Sequence, residues 1–268
     1  MDALSGERII VKSPDEIVRL RAACRVVAEV LAELQAAVAP GVSTLELDRL
    51  AEAGARRRGA EPAFKGYHGF PASLCASVNE EVVHGIPSSS RVLRGGDIIG
   101  LDFGVVLDGF YGDAAITLPV GVVSEEARRL LEITRAALEA AVAEARPDHR
   151  VGDLGAAVQR CVEPSGFSVV RDFVGHGIGR RLHEPPQIPN FGTIGTGPRL
   201  RAGMALAIEP MVNVGRFEVD TRDDGWTAFT VDGRLSAHFE HTVLITEKGP
   251  EIMTLAPPAS SGARGPLS

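Results

Sequence analysis

Two apolar, β-branched runs, Asp97 to Val106 and Phe110 to Val120, flank the dipeptide Asp108-Gly109. An Asp-Gly pair in that setting signals a two-residue hairpin, because both turn residues must take positive φ. With Asp108 and Gly109 at its centre, Leu107 faces Phe110 and Gly104 faces Asp113. Strand side chains alternate faces, so Asp102 projects from the same face as Asp113. The two carboxylates become diagonal neighbours, roughly 7–8 Å apart at the backbone and able to converge. Burying them together without cations is costly, since like charges in a low dielectric raise each other's pKa. Two divalent ions about 3.5–4 Å apart suit this spacing. The competing account makes one of the pair an ordinary turn acid facing solvent.

Helical signals surround this hairpin. Ser13-Pro14-Asp15-Glu16 supplies a capping serine, a first-turn proline and a glutamate three residues after the cap, followed by Ile17, Leu20, Val27, Leu31 and Leu34 at helical spacing. This predicts an amphipathic helix ending near Pro40-Gly41, with a shorter one from Thr44 to Arg58. The pattern recurs: Ser124 caps a helix from Glu125 to Ala145, a Pro-containing break follows, and a shorter helix runs from Val151 to Cys161. Two such units, each with β-like sequence nearby, suggest an internal duplication. Met204 to Val214 and Ala237 to Thr246 are further strand candidates. Helices interleaved with mostly hairpin-linked strands indicate an α+β domain rather than a doubly wound parallel sheet.

Glu209 and Glu240 fall inside those last two runs, where an unpaired carboxylate would be expensive. An exposed edge position is the usual account of a strand glutamate. Beside the Asp pair it would have to be invoked repeatedly. Four acids carry four negative charges, which two divalent cations would neutralise, and oxygen ligands with one imidazole suit Mn, Co, Fe or Zn without strongly selecting one. In GHGIGRRLHEPPQIPNFG, His176 and His183 have helical spacing, yet glycines follow the first and Pro185-Pro186 the second, so the segment is not helical. The same prolines exclude a zinc-binding HExxH helix.

The ordered set Asp102, Asp113, His176, Glu209 and Glu240, with VVHGIP, GHGIGRRLHEPP and GYHGFPASLCASVNEEVVHGIP, resembles the type I methionine aminopeptidases, metallopeptidases of the pita-bread fold. The resemblance runs from about Ser13 to Thr254. It implies two pseudo-symmetric halves around a curved antiparallel sheet, with residues 13–254 as one catalytic domain, residues 1–12 as an extension and residues 255–268 as a disordered tail. It implies two divalent ions (Co, Mn, Fe, Zn or Ni): Asp113 and Glu240 bridging both, Asp102 completing one site, His176 and Glu209 the other. Glu209 would also shuttle a proton, His183 would reach the scissile carbonyl, and His84 would bind substrate backbone. Gly177 and Gly179 would let the backbone pass close to the metals, with Pro185-Pro186 ending the segment. Tyr67, Phe70, Cys75 and Trp226 match a pocket for an unbranched thioether. Phe64 and Leu182 depart from the family, which has a small sulfur residue and an aromatic at those places.

The implied reaction is removal of the initiator methionine from nascent chains whose second residue is small. A prolidase or aminopeptidase P relative shares the five ligands, but the YHGFP and VHGIP surroundings and the lack of a large N-terminal domain disfavour it. A metal-free binding module on the same fold would have lost ligands that are present here. Type II members carry a long insertion in the C-terminal half that the ligand spacing leaves no room for. A net charge of −7, whose only compact basic run is Arg56-Arg57-Arg58, argues against broad capture of nucleic acid or anionic membrane. No run reaches the ~18 apolar residues of a membrane span, and the N-terminus lacks a signal-peptide core. Cys24, Cys75 and Cys161 are odd in number and far apart, so a reducing compartment is expected. The expectation is a cytoplasmic monomer acting on methionyl peptides and nascent chains, with transient ribosome association.

Overall fold

The structure, a computed structural model, describes residues 8–255. Residues 1–7 of the expected extension, and the expected disordered tail beyond Leu255, lie outside the described residues. The N-terminal half begins with α1 (Pro14–Ala37) and α2 (Thr44–Arg57). Both start at a serine whose side chain accepts from the third residue of the helix, while a glutamate there accepts from the serine backbone. Strands β1 (Glu61–Pro62), β2 (Cys75–Val78), β3 (Glu81–Val83), β4 (Ile98–Leu107) and β5 (Phe110–Pro119) follow. The C-terminal half repeats the opening with α3 (Glu125–Glu144) and α4 (Val151–Val162). Its strands are β6 (Ser168–Val169), β7 (Val174–Gly177), β8 (Glu184–Pro189), β9 (Ala205–Ile208), β10 (Met211–Asn213), β11 (Val219–Thr221), β12 (Ala228–Thr230), β13 (Ser236–His238), β14 (His241–Thr246) and β15 (Gly249–Ile252).

Each half has its own core. Ile17 and Leu20 aside, the α1 positions marked by helical spacing join α2 and the β2, β4 and β5 strands in one cluster, with Val27, Leu31, Leu34, Leu101 and Phe103 buried. Leu130, Leu138, Leu154 and Val158 from α3 and α4 pack on Leu206, Ile208, Val243 and Ile245 in the other. Burying each such side chain contributes roughly 1.5–3 kcal/mol, so the helix pairs are held by their sheets more than by propensity. A third cluster, containing Leu20, Phe64, Phe70, Cys75, Leu182 and Leu244, joins residues of both halves.

Two expected strands are each broken in two. Met204 to Val214 becomes β9 and β10, separated at Glu209-Pro210, and Ala237 to Thr246 becomes β13 and β14, separated at Phe239-Glu240. β9 and β14 pair in a five-stranded sheet, whereas β10 and β13 pair in a three-stranded one. Both strands therefore change sheets at a glutamate. Pro210 has no N–H with which to continue a ladder. Glu240 turns its backbone across to β5 instead: its N–H donates to Ala115 O at 2.8 Å, and Ala115 N–H donates back at 3.4 Å. Thr242 Oγ1 donates to Asp113 O at 2.7 Å, and Thr117 Oγ1 donates to His238 O at 2.7 Å. These bonds stitch the halves together along β5. Pro185-Pro186, expected to end its segment, instead lies inside β8, an edge strand where a missing N–H is tolerated.

Candidate metal centre and substrate cavity

β4 and β5 pair in the register that the Asp-Gly turn dictates, with Leu107 opposite Phe110, Gly104 opposite Asp113 and Asp102 opposite Ala115. Asp108 and Gly109 have φ of 49° and 76°, as a two-residue turn of this hand requires. Asp113 is 4% exposed, so neither it nor the half-buried Asp102 is a solvent-facing turn acid. Gly104 leaves room for this arrangement: a Cβ there would sit 2.8 Å from the Phe64 ring and 3.2 Å from Asp113 Oδ1. On the far side of β4, Cys75 pairs with Asp102, which brings its thiol to the same face.

The C-terminal half uses a related device. His176 on β7 sits opposite Ala207 on β9, which makes Glu209, two residues beyond, its diagonal neighbour. His176 Nε2 stands 3.5 Å from Glu209 Oε1. His241 faces Ile208, and one more step of that register brings Glu240 level with Glu209. Asp113, His176 and Glu240 each offer one ligand atom, all within 4.8 Å of one another. The two glutamates thus reach the site from sheet corners, not from strand interiors.

Residues 18–247 match metallopeptidase family M24. The chain belongs to this family. A methionine aminopeptidase of Clostridium perfringens is 54% identical over 247 residues, 92% of this chain and 99% of that one. The crystal structure of a methionine aminopeptidase from Thermotoga maritima shares 49% identity with a TM-score of 0.91, covering 92% of this chain and all of that one. A prolidase from Pyrococcus horikoshii OT3 shares 23% identity with a TM-score of 0.76, covering 93% of this chain and 65% of that one, a likeness of fold alone. The α+β pita-bread fold of M24 is therefore the architecture of this chain, and its two helix-pair halves are the duplication that the sequence suggested.

The electrostatics of this M24 centre fit a metal site. Asp102 Oδ1, Asp113 Oδ1 and Glu240 Oε1 are buried with no hydrogen-bond partner among the described residues. Loss of hydration pushes Asp102 up to about 7 and Glu209 up to about 8. Burial, then the neighbouring carboxylates, pushes Asp113 and Glu240 well above the usual carboxylate range. Orphaned acceptors on four crowded acids fit divalent cations, which would satisfy the oxygens and cancel the charge. Burial also pushes His176 down to about 3, with His183 adding to the effect, so its imidazole is neutral. Its Nδ1 lies 2.9 Å from Gly177 O, a carbonyl that only accepts, which leaves Nε2 bare and turned to the acids.

An open cavity of about 980 Å³ extends from this centre. Every residue expected to touch substrate lines it: Tyr67, Phe70, Cys75, His84, His183 and Trp226, with Phe64 and Leu182. Phe70 and Trp226 meet edge to face at 5.2 Å, and His84 packs against Phe173 at 5.4 Å. Tyr67 Oη lies 2.7 Å from His183 Nδ1. Burial pushes both His84 and His183 down to about 4. Gly177 and Gly179 have a different role from the one expected. A Cβ on Gly177 would strike Pro185 O, and one on Gly179 would strike the Lys12 side chain, so both glycines admit neighbouring protein rather than metal.

Tyr111, Val174 and Met211 also line the cavity and were not anticipated. Each stands two residues from a predicted ligand, Asp113, His176 and Glu209 respectively, so the period of two held the signal. Phe173, which lines the cavity, had no comparable sequence mark. The buried His238, which adjoins a motif of the resemblance, places its Nε2 3.5 Å from Glu209 Oε2.

Proposed function

We propose that this chain is a methionyl aminopeptidase that holds two divalent cations and removes the N-terminal methionine when the second residue is small. The observation that carries this reading is the convergence of Asp102, Asp113, His176, Glu209 and Glu240 on a cavity whose other walls are aromatic, aliphatic and thiol side chains. Asp113 and Glu240 would bridge the ions, Asp102 would complete one site, and His176 with Glu209 the other. When bound, the cations supply Lewis-acid polarisation of a carbonyl and lower the pKa of water.

The side chains around them do the rest. Glu209 retains 13% exposure beside the cavity, which suits a carboxylate that takes a proton and returns it to the leaving amine. With the Tyr67 hydroxyl as donor in its 2.7 Å contact with His183 Nδ1, the ring would carry its proton on Nε2 and offer it to the scissile carbonyl. Neutral His84 hydrogen-bonds the substrate backbone from the opposite wall. Phe70, Cys75, Tyr67 and Trp226 surround an unbranched thioether with polarisable surface.

Among the described residues no helix is long and apolar enough to cross a membrane, and all three cysteines are unpaired. The free thiols support a reducing, cytoplasmic setting. There we place a monomer that meets nascent chains in transient contact with the ribosome. The test is hydrolysis of Met-Ala and Met-Lys peptides with added cobalt or manganese, alongside an Xaa-Pro dipeptide. Cleavage of Met-Ala alone is expected. Equal cleavage of both methionyl peptides, or turnover only of the Xaa-Pro dipeptide, defeats the reading, and metal analysis of protein purified without added ions gives the stoichiometry.

A further inference from the structure

Lys12 is buried although it precedes the first helix, and its Nζ lies 2.5 Å from Glu184 Oε2, with the two side chains 2% and 0% exposed. A fully buried ion pair gains little net stability, because desolvation offsets most of the attraction. Its placement indicates another use. The second oxygen, Glu184 Oε1, accepts the backbone N–H of Arg180 at 2.8 Å and of Arg181 at 3.1 Å. Those amides belong to the loop between β7 and β8 that delivers Leu182 and His183 to the cavity. Tyr111 N–H holds the same loop through Gly179 O at 2.8 Å. Lys12 is itself fixed by its N–H on Gly203 O at 2.8 Å, and its side chain crosses Gly179 so closely that a Cβ there would collide with it. A second tie joins Arg180 Nε to Glu16 Oε1 at 2.8 Å, from the first turn of α1.

We infer that Glu184, oriented by Lys12, is a positioning residue that sets the loop carrying His183, so that the segment before α1 acts on the reaction from outside the cavity. Lys12 neutralises the carboxylate and fixes one oxygen, and the other oxygen is thereby aimed at the two loop amides. His183 follows Arg181 by two residues, so displacement of those amides displaces its ring. The inference rests on the proposed role of His183 as donor to the scissile carbonyl.

The test replaces the pair with apolar side chains of similar length, Lys12→Met with Glu184→Met, which removes the buried charges together and takes the acceptor from the amides. We expect kcat on a Met-Ala peptide to fall at least ten-fold with KM changed less than about three-fold. In a His183→Ala background the same two changes should cost less than two-fold, because their effect passes through that ring. Independent losses that multiply would overturn the inference. Hydrogen exchange of the 178–184 segment and the ¹⁵N signal of His183 Nδ1 report on the loop without turnover: faster exchange at Arg180 and Arg181 with a shifted His183 signal is expected, and no change in either refutes it. If the wild type cleaves no methionyl peptide while these signals respond, the proposed function fails and the positioning stands. Should the Met pair not fold, Glu184→Asp keeps the charge beside Lys12 but withdraws the oxygens from the loop. Unaltered kcat and unaltered exchange in that variant would equally overturn the inference.

Discussion

The N-terminal half brings its acids to the centre on an unbroken ladder, whereas the C-terminal half brings its own at corners where strands change sheets. Asp102 and Asp113 are short side chains on two ten-residue strands, and their position follows from hairpin register alone. Glu209 and Glu240 stand outside any ladder, and the extra methylene of glutamate spans the distance that a corner adds. Each half sets a glycine against a carboxylate: Gly104 beside Asp113, and Gly175, whose Cβ would lie 3.3 Å from Glu209 Cγ. Yet the corners are not autonomous. Glu240 takes its place from Ala115 across the seam, so the hairpin of one half is the template for the carboxylate of the other. A local turn fixes the first pair of acids, and a tertiary contact fixes the second.

The sharpest way to break this comparison is to remove one of the crowded acids from each half. On the proposed assignment of Asp113 and Glu240 as ligands shared by two ions, Asp113→Ala and Glu240→Ala should each lower kcat/KM by roughly 10³-fold or more, about 4 kcal/mol. Steady-state assays with parallel metal analysis check this, and retained turnover in either variant would unseat the assignment. The metal-free forms of both variants should melt at higher temperature than metal-free wild type, since an uncompensated buried acid is gone.

A smaller effect, shared by the acids of both halves, is a dependence on pH. An acid whose folded pKa lies above its unfolded value of about 4 holds its proton more tightly when folded, so stability falls as pH rises from about 4 to the folded value. Asp102 at about 7 and Glu209 at about 8 place the end of that window at neutrality or just above it. Histidines pushed down, such as His176 at about 3, act in the opposite sense, costing stability as pH falls below about 6.5. Between about pH 6.5 and 8 the carboxylates therefore dominate. Metal-free protein should lose stability across this window by up to about 1.4 kcal/mol per pH unit for each extra proton held, and divalent ions should abolish the slope. Asp102→Asn and Glu209→Gln should each flatten the profile in denaturant titrations; a flat profile in metal-free wild type would show that the acids are already satisfied.

The same contrast governs how much could be read from the chain. The hairpin was legible to the residue because Asp108-Gly109 fixes register, and with it the faces of Asp102 and Asp113. Helix starts were legible through Ser13 and Ser124, whose side chains accept from the first helical turns. The breaks at Glu209 and Phe239-Glu240 were hidden, since apolar runs look continuous when the interruption comes from a partner strand. Pro210 was a local warning of the first break. The second, made by Ala115 and the threonines along the seam, has no sequence mark. Pro185-Pro186 misled for a related reason: a strand that pairs on one side only tolerates what an inner strand would not. Of the five proposed site positions, hairpin register pointed to the aspartates, the cost of a carboxylate inside an apolar run pointed to Glu209 and Glu240, and family resemblance joined them with His176 into one set.

The gentlest comparison lies in the cavity wall, where Phe64 comes from the N-terminal half and Leu182 from the C-terminal loop. Both are nearly buried, at 8% and 2% exposed, and both belong to the cluster that joins the halves. Phe64 packs over Gly104 beside Asp113, so its ring is tied to the metal-facing hairpin, whereas Leu182 rides on the loop beside His183. Leu182→Phe adds a ring where the substrate side chain must fit, in a loop that can shift slightly to admit it. The change should therefore act on ground-state binding, altering KM by about 2–10-fold, or roughly 0.5–1.5 kcal/mol, with kcat within about two-fold. Michaelis parameters for Met-Ala and norleucine-Ala peptides decide the matter. A larger loss in kcat than in KM would mean that the ring displaces His183, and the loop would then be as tightly tied to the chemistry as the hairpin is.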